Sequence, residues 1–297
     1  MKVSVVIVNW NRVNDLRDTL NSVFSQFHAD LEVIVVDNCS TDGSPDMVKE
    51  EFQQVDLIQP ERPCSACESY NVGMRKSAGD VVAILDNDVI LGEKWIRDVV
   101  MSFENDLQLG AIASRIVDFR SGDEIWGFGE FTKDEFSNKE FNCTTFIGCA
   151  AAIRNRVLRE VGYYPEEFGI YANEADLAAR ILAAGYRIKY VPGIVAYHKA
   201  SPSQRSIGRK LFYNTRNFIW YYWRYYPFPQ VLVATGVRLA EGLFEAIHKR
   251  LISLYLEAVK ETVLKLPQNI RKRTPLRMLR RRYTFKQLKE DFKVTYG

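Results

Sequence analysis

Residues 81–88 read V-V-A-I-L-D-N-D, five apolar side chains followed by two carboxylates that flank an asparagine. An unbroken apolar run of this length marks a strand buried on both faces, the kind found in parallel sheets. Similar runs stand upstream at residues 3–8 (V-S-V-V-I-V) and 31–36 (L-E-V-I-V-V), with a weaker candidate at 55–58. Between them, Leu16, Leu20, Val23 and Phe24 recur at helical spacing within residues 14–26, and shorter helices fit residues 44–52 and 69–77. Strand and helix alternate over the first hundred residues. That order predicts an α/β fold around a mostly parallel, Rossmann-like sheet with helices on both faces. Ligands of such sheets bind beyond the carboxyl ends of the strands. Asn9, Asp37 and the Asp86/Asp88 pair occupy those ends.

Beyond residue 110 the pattern loosens. Residues 111–117, 144–153 and 188–191 read as strands, and 118–142 as an aromatic, acidic loop or hairpin. Residues 155–161 and 174–184 read as helices, and His198 falls shortly after the last strand. After residue 201 the alternation stops. Residues 204–226 and 231–266 are helical by composition, and 270–282 are strongly basic. We place a boundary at 202, giving a catalytic-type α/β domain over 1–202 and a C-terminal α-helical extension over 203–297.

The charge follows that boundary. The 297-residue chain has a net charge of +3, but residues 1–200 hold 20 Lys+Arg against 31 Asp+Glu, and residues 201–297 hold 20 against 6. An acidic body with a basic tail predicts a tail directed at something anionic. Five scattered cysteines, with Cys64 and Cys67 as a lone C-x-x-C, form neither a disulfide framework nor a zinc site and read as free thiols. No run of about 18 uncharged apolar residues occurs, so a spanning helix is not expected. These features predict a cytoplasmic protein.

Two carboxylates at a strand end can hold a divalent cation that also takes phosphate oxygens. Against this stands a solvated turn, because D-x-D is common in loops. Asp37 can accept a hydrogen bond from a nucleobase or ribose; the alternative is an Asx-turn, which is the reading favoured for Asp42-Gly43.

Together these segments resemble the family 2 glycosyltransferases of the GT-A fold. The V-S-V-V-I-V-N-W-N start, E-V-I-V-V-D-N-x-S-x-D-G-S, and N-x-G-x-x-x-x-x-G-D-V-V-x-x-L-D-N-D carry the resemblance. It continues through F-I-G-C-A-A-A-I-R, N-E-A-D-L-A-A-R and G-Y-R-I-K-Y-V-P, over about residues 3–200. It implies a GT-A-like domain and a nucleotide-diphospho-sugar donor. Asn9, Asp37, Asn71, Lys76, Asp86 and Asn87 would lie at the nucleotide. Asp86, Asp88 and His198 would hold Mn²⁺ or Mg²⁺, with a hydrogen-bonded strand-end histidine as the alternative for His198. Many relatives read E-D-x-D where this chain has Asn173-Glu174-Ala175-Asp176, so Glu174 takes the position of the catalytic base, with Asp176 as second candidate. Asp176 can equally be a first-turn acid that interacts with the helix dipole. Trp126, Phe128, Phe131 and the small residues 148–152 would shape the acceptor pocket, although core packing is the simpler reading of Trp126. The N-W-N start and the Arg216-Asn217-Phe218 tail resemble rhamnosyltransferases, which implies dTDP-rhamnose ahead of UDP-hexoses.

The tail places eight aromatics between Phe218 and Phe228 beside Arg216 and Arg224. Such a helix fits an anionic membrane interface, and it fits equally well as packing against the catalytic domain or a second subunit. The seven Lys/Arg of residues 270–282 favour the membrane. A nucleic-acid partner ranks last because no recognised module accompanies the charge. The resulting expectation is an inverting, metal-dependent transferase at the inner membrane face that builds a surface glycan or glycolipid on a glycan or lipid-linked acceptor. Self-association stays open. A non-catalytic membrane or nucleic-acid adaptor, a sugar-nucleotide pyrophosphorylase and a hydrolase remain as alternatives.

Overall fold

A computed structural model describes residues 1–27, 30–127, 137–199 and 207–276 of the chain. Its first half runs β1 (Val3–Asn9), α1 (Val13–Phe24), β2 (Leu31–Asp37), α2 (Ser44–Glu51), β3 (Asp56–Ile58), α3 (Ala66–Lys76), β4 (Val81–Asp86), β5 (Val89–Leu91) and α4 (Trp95–Asn105). The order continues β6 (Leu109–Asp118), β7 (Glu124–Ile125), β8 (Phe141–Asn142), β9 (Ala150–Arg154), α5 (Asn155–Val161), α6 (Asn173–Ala183) and β10 (Arg187–His198). Three helices close it: α7 (Ile207–Tyr225), α8 (Gln230–Lys249) and α9 (Ile252–Arg271).

All strands join one sheet in the order β3-β2-β1-β4-β9-β6-β10-β5, with β7 on β6 and β8 on β10. The buried runs behave as their composition dictates. Val3, Val5 and Ile7 of β1 face Leu16, Leu20 and Val23 of α1, in a core shared with Trp95 and Phe103 of α4. Val6 points to the opposite face, against Met74 of α3 and Leu177 and Ile181 of α6. Alternation along each strand thus feeds two cores, and helices cover both.

The sheet is parallel from β3 to β4 and mixed beyond. Residues 144–153 yield a strand that begins later, at Ala150, and runs antiparallel between β4 and β6. The strand expected at 188–191 extends to His198. Its register on β6 shifts between Val191 and Val195, where Pro192 and Gly193 interrupt the ladder. Proline has no N–H to donate, which is why such residues sit at bulges. After the bulge β10 pairs with β5, setting His198 opposite Val89.

The 118–142 excursion opens as a hairpin, β7 on β6. Trp126 rests on Phe141 and Tyr190, with ring centroids 6.1 and 5.7 Å away, so it packs the core. Phe128 and Phe131 lie outside the described residues.

The extension resolves into three helices. Residues 231–266 form two of them, separated by Arg250 in a left-handed conformation (φ 58°), and α9 continues through Pro267. Much of the aromatic run packs inward: Trp220, Tyr221, Tyr222, Tyr225 and Tyr226 are buried in the same core as Phe168 and Leu177, while Phe228 is 56% exposed. Packing against the α/β body takes those rings because α7 lies on the loop before α6. The boundary at 202 falls among residues 200–206, outside the described set, as do 277–297 with most of the basic run.

Candidate active site at the carboxyl edge

The edge is laid out by strand register. Asn9 pairs with Asp37 across β1 and β2, and Val8 pairs with Asp86 across β1 and β4. Three of the expected donor residues therefore stand side by side. Asn87 Nδ2 donates to Asn9 Oδ1 at 2.7 Å, and Asn9 Nδ2 donates to Asp37 Oδ2 at 2.8 Å. Asp37 Oδ1 accepts the Ser40 amide at 2.9 Å. Asn9 and Asp37 are fully buried. Asp37 thus has the turn role weighed against ligand contact, and the Asn87–Asn9–Asp37 chain braces the edge.

Asp42 also acts as a turn residue. Gly43 has φ 86°, and Asp42 accepts the Ser44 and Val13 amides at 3.1 and 2.8 Å, which caps the start of α1. Burial is the largest influence on the Asp42 carboxyl and pushes its pKa up, but the bonds from Ser44 and Val13 outweigh it and hold the pKa below the ordinary value.

Asp86, Asp88 and His198 converge. One ligand atom from each lies within 4.8 Å of the others. His198 Nε2 is 3.1 Å from Asp88 Oδ1 and 3.9 Å from Asp86 Oδ2. Two carboxylates and an imidazole form a hard oxygen set with one nitrogen, which suits Mn²⁺ and, less fully, the oxygen-seeking Mg²⁺. The residues fit a divalent cation. Pairing of β5 with β10 creates this arrangement, since it carries His198 to the residue next to Asp88.

Several groups around the cluster escaped the sequence reading. Arg12 Nη1 lies 3.3 Å from Asp88 Oδ2 and 3.0 Å from Asp15 Oδ2. Tyr70 donates to Asp86 Oδ1 at 2.6 Å, and burial followed by the nearby Asp86 charge pushes the Tyr70 pKa well up, so the phenol keeps its proton. Trp10 follows Asn9 directly and leaves 56% of its surface exposed at the edge. Its place in the loop after a buried strand was the available signal. Arg12, Asp15, Asp42, Phe119, Arg120 and Lys199 line a cavity of about 550 Å³ beside the cluster.

Glu174 reaches the edge by a separate route. The Asp86 amide donates to the Cys149 carbonyl at 2.9 Å, and Gly148, the next residue, packs against Glu174. A Cβ on residue 148 would stand 2.2 Å from Glu174 Oε1, so that contact requires glycine. The two residues before α6, Tyr171 and Ala172, both have positive φ (67° and 59°). Side chains rarely adopt that region, and its concentration here is strain beside the site.

Three expected residues stand elsewhere. Asp176 is 1% exposed; its Oδ1 accepts from Arg224 at 2.6 Å and from Tyr225 at 3.0 Å, and its Oδ2 from Arg180 at 2.9 Å. Both oxygens thus accept hydrogen bonds from side chains of α6 and α7. A cavity of about 580 Å³ near Asp176, Arg180 and Arg224 has no carboxyl-edge residue in its lining. Asn71 is buried and clamps the Tyr164–Glu166 loop through Tyr164 O, Tyr164 N and Glu166. Lys76 pairs with Asp56 at 3.5 Å. It lies six residues past Tyr70 on α3, about 9 Å along the helix axis. The five cysteines are all free; burial pushes the Cys67 thiol far up, away from reactivity.

An α/β sheet with a helical C-terminal layer and an acidic carboxyl edge is the architecture of GT-A glycosyltransferases. A mannosyltransferase of Pyrobaculum calidifontis, solved with GDP-Man and Mn²⁺, superposes with a TM-score of 0.60 over 91% of this chain and 85% of its own, at 18% identity. The model of glycosyl transferase family 2 matches residues 4–162, more than half of the chain, and the protein belongs to that family. An uncharacterized glycosyltransferase of Nostoc is 33% identical over 115 residues, 38% of this chain but only 36% of that protein. A glucosyl-dolichyl phosphate glucuronosyltransferase of Haloferax volcanii is 27% identical over 259 residues, 75% of this chain and 74% of its own.

Proposed function

We propose that this protein transfers a sugar, with inversion, from a nucleotide-diphospho-sugar to a hydroxyl of a glycan or lipid-linked acceptor. The observation that carries the reading is the convergence of Asp86, Asp88 and His198 at one strand edge, with Glu174 held beside them through Cys149 and Gly148. Asp88, His198 and Asp86 would hold Mn²⁺ or Mg²⁺, which when bound neutralises charge on the departing diphosphate. Arg12 orients Asp88 and adds a cation beside the leaving group. Trp10 offers an exposed ring face to the nucleoside. Glu174 removes the acceptor proton as the hydroxyl attacks the anomeric carbon, and direct displacement inverts that centre. A hydrolase would need only water in place of the acceptor, so donor turnover without acceptor separates the two.

Resemblance at the N-W-N start and at Arg216-Asn217-Phe218 favours dTDP-rhamnose, then UDP-hexoses, as donor. The name of the Haloferax relative supports a lipid-linked acceptor. Such an acceptor fits work at the inner membrane face, in assembly of a surface glycan. No described helix is long and apolar enough to cross a membrane.

Thermal stabilisation by UDP or dTDP is expected to require Mn²⁺ or Mg²⁺ and to vanish in Asp88→Ala. Stabilisation that survives this substitution removes the metal role. Glu174→Gln is expected to keep the stabilisation while transfer, followed by product detection, falls about 10²- to 10⁴-fold. Unchanged transfer would rule Glu174 out as the base.

A further inference from the structure

Most aromatics at the C-terminal end of α7 are buried, yet the extension still presents many exposed apolar side chains. Of the exposed large hydrophobic side chains, most fall between Phe228 and Ile270. On α8, Val233, Leu243, Phe244 and Ile247 are 49%, 42%, 55% and 61% exposed. Gly236 and Ala240, also exposed, complete the spacing of one helix face. That stripe spans about 14 residues, roughly 21 Å of helix. The charged residues of α8 turn away from it. Arg238 pairs with Glu241 at 3.1 Å and lies over the Phe218 ring at 4.8 Å, and Glu241 is buried. Leu256 and Val263 extend the apolar exposure onto α9, at 58% and 61%.

At the C-terminal end of the stripe, just past α8, Arg250 is exposed. A helix with an apolar outer face and basic residues beside it lies in the plane of a bilayer interface. Soluble proteins seldom leave a contiguous apolar face of this kind uncovered. Charge chooses between occupants. Among residues 207–276, seven Lys or Arg are exposed against one exposed acid, Glu257. A second copy would bring two strongly positive layers together, whereas an anionic lipid surface neutralises one.

We propose that the outer face of α8, continued on α9, is the surface by which this protein docks on an anionic membrane, the apolar stripe entering the interface and Arg250 meeting lipid phosphates. The proposal rests on the membrane association suggested above and assigns it to a surface other than the α7 aromatics. It asks nothing of the transfer chemistry.

Co-sedimentation of the full chain with phosphatidylcholine–phosphatidylglycerol vesicles tests it. Binding is expected, weaker on pure phosphatidylcholine and weakened by salt. The combined change Phe244→Ser and Ile247→Ser is expected to lower the bound fraction at least about tenfold. Arg250→Glu should weaken the preference for anionic lipid. Both positions of the pair are exposed, so the fold should persist, checked by an unchanged melting curve and unchanged nucleotide stabilisation. Three results overturn the proposal. Binding that ignores the double substitution leaves membrane association standing but moves it off α8. Absence of vesicle binding by the unaltered chain removes association altogether. A dimer in sedimentation velocity that the same pair dissolves assigns the face to a second copy.

Discussion

Glu174 and Asp176 are two residues apart on α6, a rotation of about 200° around the helix axis. One can face the carboxyl edge only if the other faces away, and Asp176 faces Arg180, Arg224 and Tyr225. Helical periodicity alone could have separated the two candidates. Gly148 carries the next consequence. Gly148→Ala should push the Glu174 carboxylate aside, and a displacement near 1 Å costs about 10²-fold in rate. The expected result is transfer reduced by that order with nucleotide stabilisation intact; equal loss of both would mean a wider disturbance. The Asp86/Asp88 pair was legible because strand ends are where such sheets bind ligands. Arg12 and Tyr70 were not, since their contacts with Asp88 and Asp86 join positions remote in sequence.

At the scale of elements, α7 supports the loop that delivers Glu174. Asn217 is fully buried, and its Nδ2 donates to the carbonyls of Phe168, Ile170 and Tyr171 at 2.9, 2.7 and 3.0 Å. Arg216 donates to the carbonyls of Glu167 and Phe168. These bonds hold Tyr171 and Ala172 in left-handed backbone that costs about 1–2 kcal/mol per residue. Asn217→Ala should destabilise the fold by about 1–3 kcal/mol through stranded carbonyls. It should also lower kcat more than it raises the donor KM; an effect on stability alone would deny Asn217 a part in positioning Glu174. Glu167 ties the same loop to the extension, accepting from Arg224 at 2.8 Å and Lys272 at 2.6 Å. Burial is the largest influence and raises its pKa, but the bonds from Lys272, the backbone and Arg224 outweigh it and bring the pKa from 4.5 to about 2. A carboxyl whose folded pKa is lowered stabilises fully above the unfolded value and loses that contribution as pH falls. Stability should therefore decline between about pH 4.5 and 2. Glu167→Gln should flatten that part of the curve in acid-unfolding measurements; an unchanged slope would remove Glu167 as its source.

At the scale of the whole molecule, the sheet and the helical extension share one apolar core. Trp220, Tyr221 and Tyr225 stand in it with Phe168 and Leu177. Deleting residues 203–297 should uncover this surface. The expected outcome is a fragment that aggregates or binds a hydrophobic dye strongly; a monodisperse, cooperatively melting fragment would support an independently folding domain over 1–202. The alternating buried strands, the turns that follow them and the acidic residues at their ends were determined by sequence alone, because strand burial, turn chemistry and helix periodicity act over a few neighbouring residues. Tertiary structure decided the antiparallel course of β9, the placement of His198 beside Asp88, the commitment of Asp176 to α7 and the burial of the α7 aromatics. Each depends on which distant segment packs alongside, and pairing across the sheet or across a helix interface leaves no local periodicity to read.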